Sequence, residues 1–245
     1  MRSLFLGIYA TASYAAFFVA FVYFVGFLAG FPALPTHIDK GLEVSTLTAV
    51  VVDLALIALF GIQHSVMARP AFKEVWTRTV PPAIERSTYC LFSALALGVL
   101  YAFWHPIPAP VWQVADPNLR LAIWALFLTG FAIVFVSTWL ISHFELFGLA
   151  QAWSSIRNRP LPPKPFMTPL FYKAVRHPIY LGFFIAMWAT PDMTMGHLLF
   201  AASMTVYLLI GIRYEERDLK GHFGGTYVEY QARVGMILPG IGKRG

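Results

Sequence analysis

The chain has 245 residues, of which 58% are hydrophobic and only 12% are charged. This composition excludes a soluble globular protein, because so few polar residues cannot cover the surface of a fold of this size, and it indicates an integral membrane protein. The net charge of +6 does not indicate a nucleic-acid partner, because lysines and arginines are spread over the loops between apolar segments. Membrane lipid and an acidic cofactor are the expected partners.

Six apolar segments follow one another and predict an all-α fold with a single membrane domain over residues 1–245. The first lacks a small-residue cleavage site, so we expect it to span the membrane rather than to be a removed signal peptide. The fifth is too short for a full span and is bounded by Pro178 and Pro191, so it and the sixth are expected to form a short hairpin. The segments run approximately over residues 4–31, 44–63, 88–104, 119–141, 180–190 and 197–212.

The distribution of basic residues predicts the orientation of these segments. If both termini lie on the same side of the membrane, only two of the lysines and arginines, Lys40 and Arg120, lie on the opposite side. The positive-inside rule then places both termini, and the feet of the hairpin, in the cytoplasm. The cations on the cytoplasmic side would be Arg2, Arg69, Lys73, Arg78, Arg86, Arg157, Arg159, Lys164, Lys173, Arg176, Arg213, Arg217, Lys220, Arg233, Lys243 and Arg244.

Two segments outside the apolar blocks also have recognisable patterns. Residues 157–165 contain four prolines and are expected to be extended across the cytoplasmic face. Residues 226–234, in the C-terminal tail, are expected to form an amphipathic helix in the membrane interface.

Polar motifs stand at both feet of the predicted hairpin. At the first foot, Pro178 begins a helix directly after Arg176 and His177, so free backbone N–H groups and a guanidinium suit a carboxylate or another anion. At the second foot, Glu215 and Glu216 end a helix, where acidic groups oppose the helix dipole unless a cationic or hydroxyl-rich group compensates. S-adenosylmethionine has an anionic end, a cationic centre and a ribose, and would satisfy both feet. The alternative is an ion-pair cluster that only anchors the hairpin.

The motif Arg-His-Pro-x-Tyr-x-Gly at 176–182, followed by Glu-Glu and by Gly-x-x-Tyr-x-x-Tyr at 224–230, resembles the isoprenylcysteine carboxyl methyltransferase and phospholipid methyltransferase superfamily. The match covers residues 165–240, which we expect to be the cofactor-binding methyltransferase core. The resemblance implies S-adenosylmethionine in a pocket that faces the cytoplasm and is covered by the C-terminal tail. The implied cofactor-binding residues are Arg176, His177, Pro178, Tyr180, Leu181, Tyr214, Glu215, Glu216, Tyr227 and Tyr230.

Three upstream polar clusters, at residues 63–69, 85–89 and 142–149, are similar to the bacterial methanethiol S-methyltransferase branch of this superfamily. That branch converts methanethiol to dimethyl sulfide, so the resemblance implies methylation of a small lipophilic thiol by an enzyme of the bacterial inner membrane. Two alternatives remain. One is a methyltransferase for a membrane lipophile, such as an isoprenylcysteine or a phospholipid amine, and the other is a non-enzymatic membrane factor of respiratory nitrogen metabolism.

Methyl transfer to a thiol requires a thiolate, because a thiol with a pKa of about 8.5 is mostly protonated at neutral pH and is then a poor nucleophile. His64 and His143 are candidates for the base, and Arg69 and Arg213 are candidates for a cation that stabilises the thiolate. Asp53, within the second apolar segment, either bonds a neighbouring helix or lines the substrate path. The histidines are scattered and lack metal-binding spacing, so no metal site is expected.

Overall fold

The computed structural model describes residues 2–163 and 165–243, and within them helices dominate. The helices are α1 (Arg2–Leu28), α2 (Thr46–Ala68), α3 (Pro70–Trp76), α4 (Pro82–Phe103), α5 (Pro117–Ile141), α6 (His143–Leu146), α7 (Leu149–Arg157), α8 (Pro178–Trp188), α9 (Met195–Phe223) and α10 (Gly225–Arg233), and the strands are β1 (Pro110–Gln113) and β2 (Asp192–Thr194). Among the described residues, five helices are long and apolar enough to cross a membrane, namely α1, α2, α4, α5 and α9. The protein is therefore an all-α integral membrane protein, as predicted, with one small two-stranded sheet that the sequence does not predict. Lys164 and Arg244, two of the cations counted above, lie outside the described residues.

The predicted short hairpin consists of α8 and α9, and its two arms differ in length. The eleven residues of α8 rise only about 16 Å, which is roughly half of the 30 Å hydrocarbon core of a bilayer. α9 continues well past the apolar segment that ends near Ile212, and it stops at Phe223, before Gly224 with its positive φ of 56°. The sequence predicts that Glu215 and Glu216 end this helix, but in the structure both lie inside it. The helix continues because the charged residues that follow the apolar stretch are good helix formers.

Residues 2–109, 143–162 and 194–200 form one compact unit, which contains α1 to α4, α6 and α7. Near their starts, α1 and α4 are joined by a 2.9 Å hydrogen bond between the hydroxyl groups of Tyr9 and Thr88. Near their ends, the rings of Phe27 and Trp104 meet edge to face. α1 and α4 therefore run parallel to each other. α2 lies between them in the sequence and runs in the opposite direction.

Residues 110–142, 163, 165–193 and 201–243 form the second compact unit, which contains α5, α8, most of α9, and α10. The predicted core, residues 165–240, lies in this unit except for residues 194–200. In the hairpin, the indole nitrogen of Trp188 donates to the hydroxyl of Thr205 at 3.0 Å, close to the turn. At the other end of the hairpin, Nε2 of His177 lies 3.2 Å from Oε1 of Glu216. The two contacts confirm that α8 and α9 pair as an antiparallel hairpin.

Three smaller predictions can be compared with the structure. The described part of the proline-rich loop after Asn158 contains neither helix nor strand, as predicted, and α10 (Gly225–Arg233) matches the helix predicted at residues 226–234. The Asp53 side chain is fully buried, and its Oδ1 accepts the backbone N–H of His105 at 3.0 Å, just beyond the end of α4. This contact supports the structural role for Asp53, as a bond to the segment that leaves a neighbouring helix.

Candidate functional site

The first foot of the hairpin is the start of α8. Pro178 occupies its first turn, where a missing N–H costs no hydrogen bond. The backbone N–H of Arg176 donates to the carbonyl of Gly235 at 2.8 Å, and that of His177 donates to the carbonyl of Met236 at 3.1 Å. The C-terminal tail therefore lies alongside the residues that precede α8 and holds Arg176 and His177 in place.

The guanidinium of Arg176 is fully buried and is engaged by the protein itself. Its Nε donates to Oε1 of Glu216 at 2.8 Å, and its Nη2 lies 2.7 Å from the same oxygen. Nη1 donates to the carbonyls of Gln231 and Val234, and Nη2 donates to the carbonyl of Gly242 at 3.1 Å. Because a guanidinium has five N–H donors, these five contacts use the capacity that an external anion would need. Arg176 therefore ties α9, α10 and the tail together.

The second foot presents two carboxylates that differ in their surroundings. Glu216 is buried between Arg176 and His177, whose Nε2 lies 3.2 Å from its Oε1. Glu215 is partly exposed, and its Oε2 lies 3.8 Å from Nδ1 of His177. The imidazole thus stands between the two carboxylates, and the edge of the Tyr180 ring meets it at a centroid distance of 5.4 Å. Glu216 belongs to the protein interior, whereas Glu215 faces outward.

α10 turns two polar side chains into the interior of the second unit. Tyr227 and Gln231, one helical turn apart, are each 1% exposed. Within residues 2–163 and 165–243, neither the hydroxyl of Tyr227 nor the amide nitrogen of Gln231 has a hydrogen-bond partner. Burial raises the pKa of Tyr227 well above its usual value, so its hydroxyl is a neutral donor. An unsatisfied buried donor costs roughly 1–3 kcal/mol, which a polar ligand would recover.

Tyr230, also on α10, has its polar group satisfied by the protein. Its hydroxyl donates to the carbonyl of Tyr172 at 2.5 Å, and burial raises its pKa to about 12. Phe166 packs its ring against both Tyr227 and Tyr230, with centroid distances of 5.9 and 5.2 Å. Tyr230 therefore fastens α10 onto the segment that precedes α8.

The other residues predicted at the two feet of the hairpin also belong to α8 and α9 of the second unit. The backbone N–H of Leu181 donates to the carbonyl of His177 at 3.0 Å and closes the first turn of α8. Tyr214 is about half exposed, and Arg213 beside it on α9 is exposed. Arg213 thus lies on the same helix as the two glutamates, at an exposed position.

Two of the predicted catalytic residues lie in the first unit, around the end of α2. Both ring nitrogens of His64 are hydrogen-bonded, Nδ1 to the hydroxyl of Ser93 at 3.0 Å and Nε2 to the hydroxyl of Tyr89 at 2.7 Å. Nε of Arg69 donates to the carbonyl of Ser65 at 3.1 Å, which turns the side chain back along α2. His64 of α2 is therefore hydrogen-bonded to two residues of the neighbouring helix α4.

His143 lies directly after α5, in the short helix α6, and is buried. Its Nε2 is 2.8 Å from the hydroxyl of Tyr14 on α1, and burial lowers its pKa below the ordinary value. The ring of Phe147 covers it at a centroid distance of 4.8 Å. Among the described residues, no group of three or more His, Cys, Asp or Glu side chains forms a possible metal site.

Sequence reasoning missed several polar residues that these networks contain. Gln231 follows Tyr227 by one turn of a helix that the sequence does predict, so its position on the same face was available as a signal. Ser93 likewise follows Tyr89 by one turn, but nothing in the sequence pairs either of them with His64. Tyr14 lies in an apolar segment and carries no signal of its role.

Comparison with known proteins identifies the family. No family model matches the chain, and no solved structure matches it. The chain is 49% identical to methanethiol S-methyltransferase 1 of Bradyrhizobium diazoefficiens over 232 residues, which cover 95% of this chain and 81% of the relative. It is 50% identical to methanethiol S-methyltransferase of Mycobacterium tuberculosis over 232 residues, 95% of each chain. With the enzyme of that name from Pseudomonas deceptionensis it shares 49% identity over 212 residues, 85% of this chain and 79% of the relative. With this identity over nearly its whole length, the chain belongs to the methanethiol S-methyltransferase family and is a membrane-embedded methyltransferase.

Proposed function

We propose that this protein transfers the methyl group of S-adenosylmethionine to methanethiol and forms dimethyl sulfide. The observation that carries the proposal is the identity of about half of the residues to enzymes named for that acceptor. A thiol of this size is small and lipophilic, and it can reach a membrane enzyme from the bilayer or from water.

The residues at the feet of the hairpin suit this cofactor. The buried donors on Tyr227 and Gln231 make no hydrogen bond within the described chain, and the carboxylate, ribose and adenine of the cofactor offer acceptors for them. His177, Pro178, Tyr180, Leu181, Tyr214 and Glu215 complete the proposed cofactor-binding residues. When bound, the cofactor supplies a methyl group activated by a positively charged sulfur.

Arg176 and Glu216 support this site from the protein interior. Their ion pair fixes α9 against the start of α8, and the carbonyl contacts of Arg176 fix α10 and the tail. His177, held between Glu215 and Glu216, keeps the two carboxylates apart. The ring of Tyr180 is placed to attract a sulfonium through its face.

The thiol must also lose its proton. His64 and His143 are the proposed proton acceptors, each through the tyrosine hydroxyl bound to its Nε2. Arg69 and the exposed Arg213 are the proposed cations that favour the thiolate. A nearby positive charge lowers the pKa of a thiol and so increases the fraction present as thiolate, which is the nucleophile that methyl transfer needs.

We propose that the enzyme resides in the bacterial inner membrane with both termini in the cytoplasm. Cys90, the one cysteine, can be replaced by Ala, and a single cysteine can then be placed at Lys40 or at Arg217. A membrane-impermeant maleimide should label Lys40→Cys on intact cells and Arg217→Cys only after permeabilisation. The reverse labelling would contradict the orientation.

The decisive experiment measures the product. Purified protein in detergent is incubated with S-adenosylmethionine and methanethiol, and dimethyl sulfide is measured in the headspace by gas chromatography. Product above a boiled control is expected. If instead an isoprenylcysteine or a phospholipid amine is methylated and methanethiol is not, the acceptor is wrong although the protein remains a methyltransferase.

A further inference from the structure

The hydrogen bonds of Ser93 determine which nitrogen of His64 carries the proton. The hydroxyl of Ser93 donates to the backbone carbonyl of Tyr89 at 2.9 Å, which uses its single hydrogen. Toward Nδ1 of His64, 3.0 Å away, the same hydroxyl must therefore act as acceptor. The neutral imidazole consequently carries its hydrogen on Nδ1, and Nε2 accepts the O–H of Tyr89 at 2.7 Å.

This tautomer directs the one lone pair of the His64 ring at the Tyr89 hydroxyl. The side chain of Tyr89 is partly exposed, in contrast to Ser93, which is buried behind it. Tyr89 is thus the outward end of a three-residue chain of hydrogen bonds that joins α2 and α4.

The charges around Tyr89 favour a negative charge at this position. The guanidinium of Arg86 lies 5.3 Å from the centroid of the Tyr89 ring. Arg69 and Arg86 both act electrostatically on His64, where their positive charges repel a second proton. Lys73 and Glu85 add one further cation and one anion, 3.9 Å apart. Basic groups therefore outnumber acidic groups here, while the facing helix α1 contributes the neutral hydroxyl of Tyr9.

The Tyr14–His143 pair has a similar hydrogen bond but different surroundings. Its tyrosine oxygen and imidazole nitrogen are 2.8 Å apart. Among the described residues, the rings that pack against Tyr14 include those of Phe18, Phe147 and His143 itself. An aromatic environment of this kind does not stabilise an anion as guanidinium groups do. The charge distribution therefore distinguishes the two tyrosine–histidine pairs and favours Tyr89.

We propose that Tyr89 is the catalytic residue that removes the proton of the thiol, with His64 and Ser93 as positioning residues behind it. The proposal rests on the proposed function. The S–H bond of the thiol breaks as its proton passes to the oxygen of Tyr89, and the O–H proton of Tyr89 passes to Nε2 of His64. The thiolate sulfur then forms a bond to the methyl carbon of the sulfonium donor, and the old carbon–sulfur bond breaks with its electron pair left on the donor sulfur. Because Arg69 and Arg86 repel a proton on His64, the imidazole carries it only transiently and releases it to water.

The acidity of the thiol provides the test. Wild-type enzyme, Tyr89→Phe and the control Tyr9→Phe are compared with ethanethiol and with trifluoroethanethiol, which has the same chain length but ionises more readily. With ethanethiol we expect Tyr89→Phe to lower kcat about 100-fold, the lower end of the contribution of general base catalysis. With trifluoroethanethiol the loss should shrink to less than about tenfold, because this thiol needs little help to ionise. Tyr9→Phe, which also loses a hydroxyl bonded to α4, should retain wild-type kcat with both thiols.

Several results would overturn the role of Tyr89. An equal loss with both thiols would indicate a structural role, and no loss would exclude any role. Dependence on thiol acidity in Tyr14→Phe instead of Tyr89→Phe would transfer the function to His143 and its partner.

Binding of S-adenosylhomocysteine, measured by calorimetry, checks that each variant is folded. If Tyr89→Phe fails this check, Ser93→Ala replaces it, and a smaller loss with the same dependence on acidity is expected. If the wild-type enzyme is inactive with every thiol, the proposed function itself is wrong. If the wild type is active and Tyr89→Phe is equally active, only the role of Tyr89 is wrong.

Discussion

Arg176 and Glu216 lie forty residues apart in the chain and form an ion pair whose side chains are 0% and 2% exposed. The pair joins the start of α8 to α9, and through the other contacts of Arg176 it also secures α10. A buried ion pair contributes modestly when complete, but its loss is severe, because removal of one partner leaves the other charge buried and uncompensated.

Replacing Glu216 should therefore destabilise the fold strongly. We expect Glu216→Ala to cost about 3–5 kcal/mol, since the Arg176 charge would remain buried. Thermal unfolding of the purified protein in detergent measures the change. The matched control is Glu229→Ala on α10, where Glu229 and Arg233 are exposed and 3.8 Å apart, and where the expected cost is about 0–1 kcal/mol. Equal melting temperatures for the two variants would refute the structural role of the Arg176–Glu216 pair.

Tyr227→Phe should weaken cofactor binding without weakening the fold. Its hydroxyl is buried and makes no hydrogen bond within the described residues, so the substitution removes nothing that the protein uses for stability. If the hydroxyl bonds the cofactor, its loss should lower affinity by about 2- to 10-fold, the usual value of one hydrogen bond. Calorimetry with S-adenosylhomocysteine gives the affinity, and thermal unfolding without ligand gives the stability.

Tyr230→Phe is the comparison for that experiment. Its hydroxyl bonds the carbonyl of Tyr172, so the substitution should destabilise the protein by about 1 kcal/mol. Cofactor affinity should change less than in Tyr227→Phe. Should Tyr227→Phe lose stability and keep its affinity, the assignment of its hydroxyl to the cofactor would be wrong.

The sequence predicts those parts of the fold that depend on hydrophobic length and on proline. Pro178 and Pro191 bound an apolar stretch that is too short to span a bilayer, which is sufficient to predict α8 and its hairpin partner. The end of α9 was placed too early, because a change from apolar to charged residues marks the end of a hydrophobic layer and not the end of a helix. Backbone hydrogen bonds continue until Gly224 takes a positive φ. The β1–β2 sheet has no pattern of its own in the sequence.

The candidate site was predicted as a set of residues but not as a set of contacts. The motif identifies Arg176 as a cation near a helix start, and that alone favours an anionic ligand. Its actual partners include carbonyls of Gln231, Val234 and Gly242, which are brought to it by the path of the tail. Such backbone acceptors are present at every position of a sequence, so only the tertiary structure reveals which of them a side chain uses.

Gly182, the last residue of the motif at the first foot, should not tolerate a side chain. A Cβ at this position would lie 2.5 Å from the carbonyl oxygen of Gly130 and 3.0 Å from the backbone nitrogen of Val134, both on α5. Small residues let membrane helices approach closely, and α5 and α8 are in this situation. We expect Gly182→Ala to force the helices apart at a cost of about 1–3 kcal/mol.

Gly98→Ala serves as the control for that substitution. Gly98 lies in the membrane-spanning helix α4, and a Cβ added there would meet nothing within 4 Å. Alanine is the better helix former, so this variant should be unchanged or more stable by up to about 1 kcal/mol. Melting temperatures of the two variants in the same detergent give the comparison. A Gly182→Ala protein as stable as Gly98→Ala would show that the backbone contact between α5 and α8 is not needed.

The ion pair between Arg120 and Asp192 should make stability depend on pH in the acidic range. Two hydrogen bonds of 2.8 and 2.6 Å join the groups, and the Arg120 guanidinium holds the pKa of Asp192 below its usual value. Because the folded-state pKa is the lower one, the unfolded chain binds a proton first as pH falls below about 4. The contribution of the pair is therefore fully present at neutral pH and disappears as pH falls through the folded-state pKa of Asp192. Melting temperatures of wild type and Asp192→Asn should differ at pH 7 and converge in acid, whereas a constant difference at all pH values would mean that the charge of Asp192 is not what stabilises this turn.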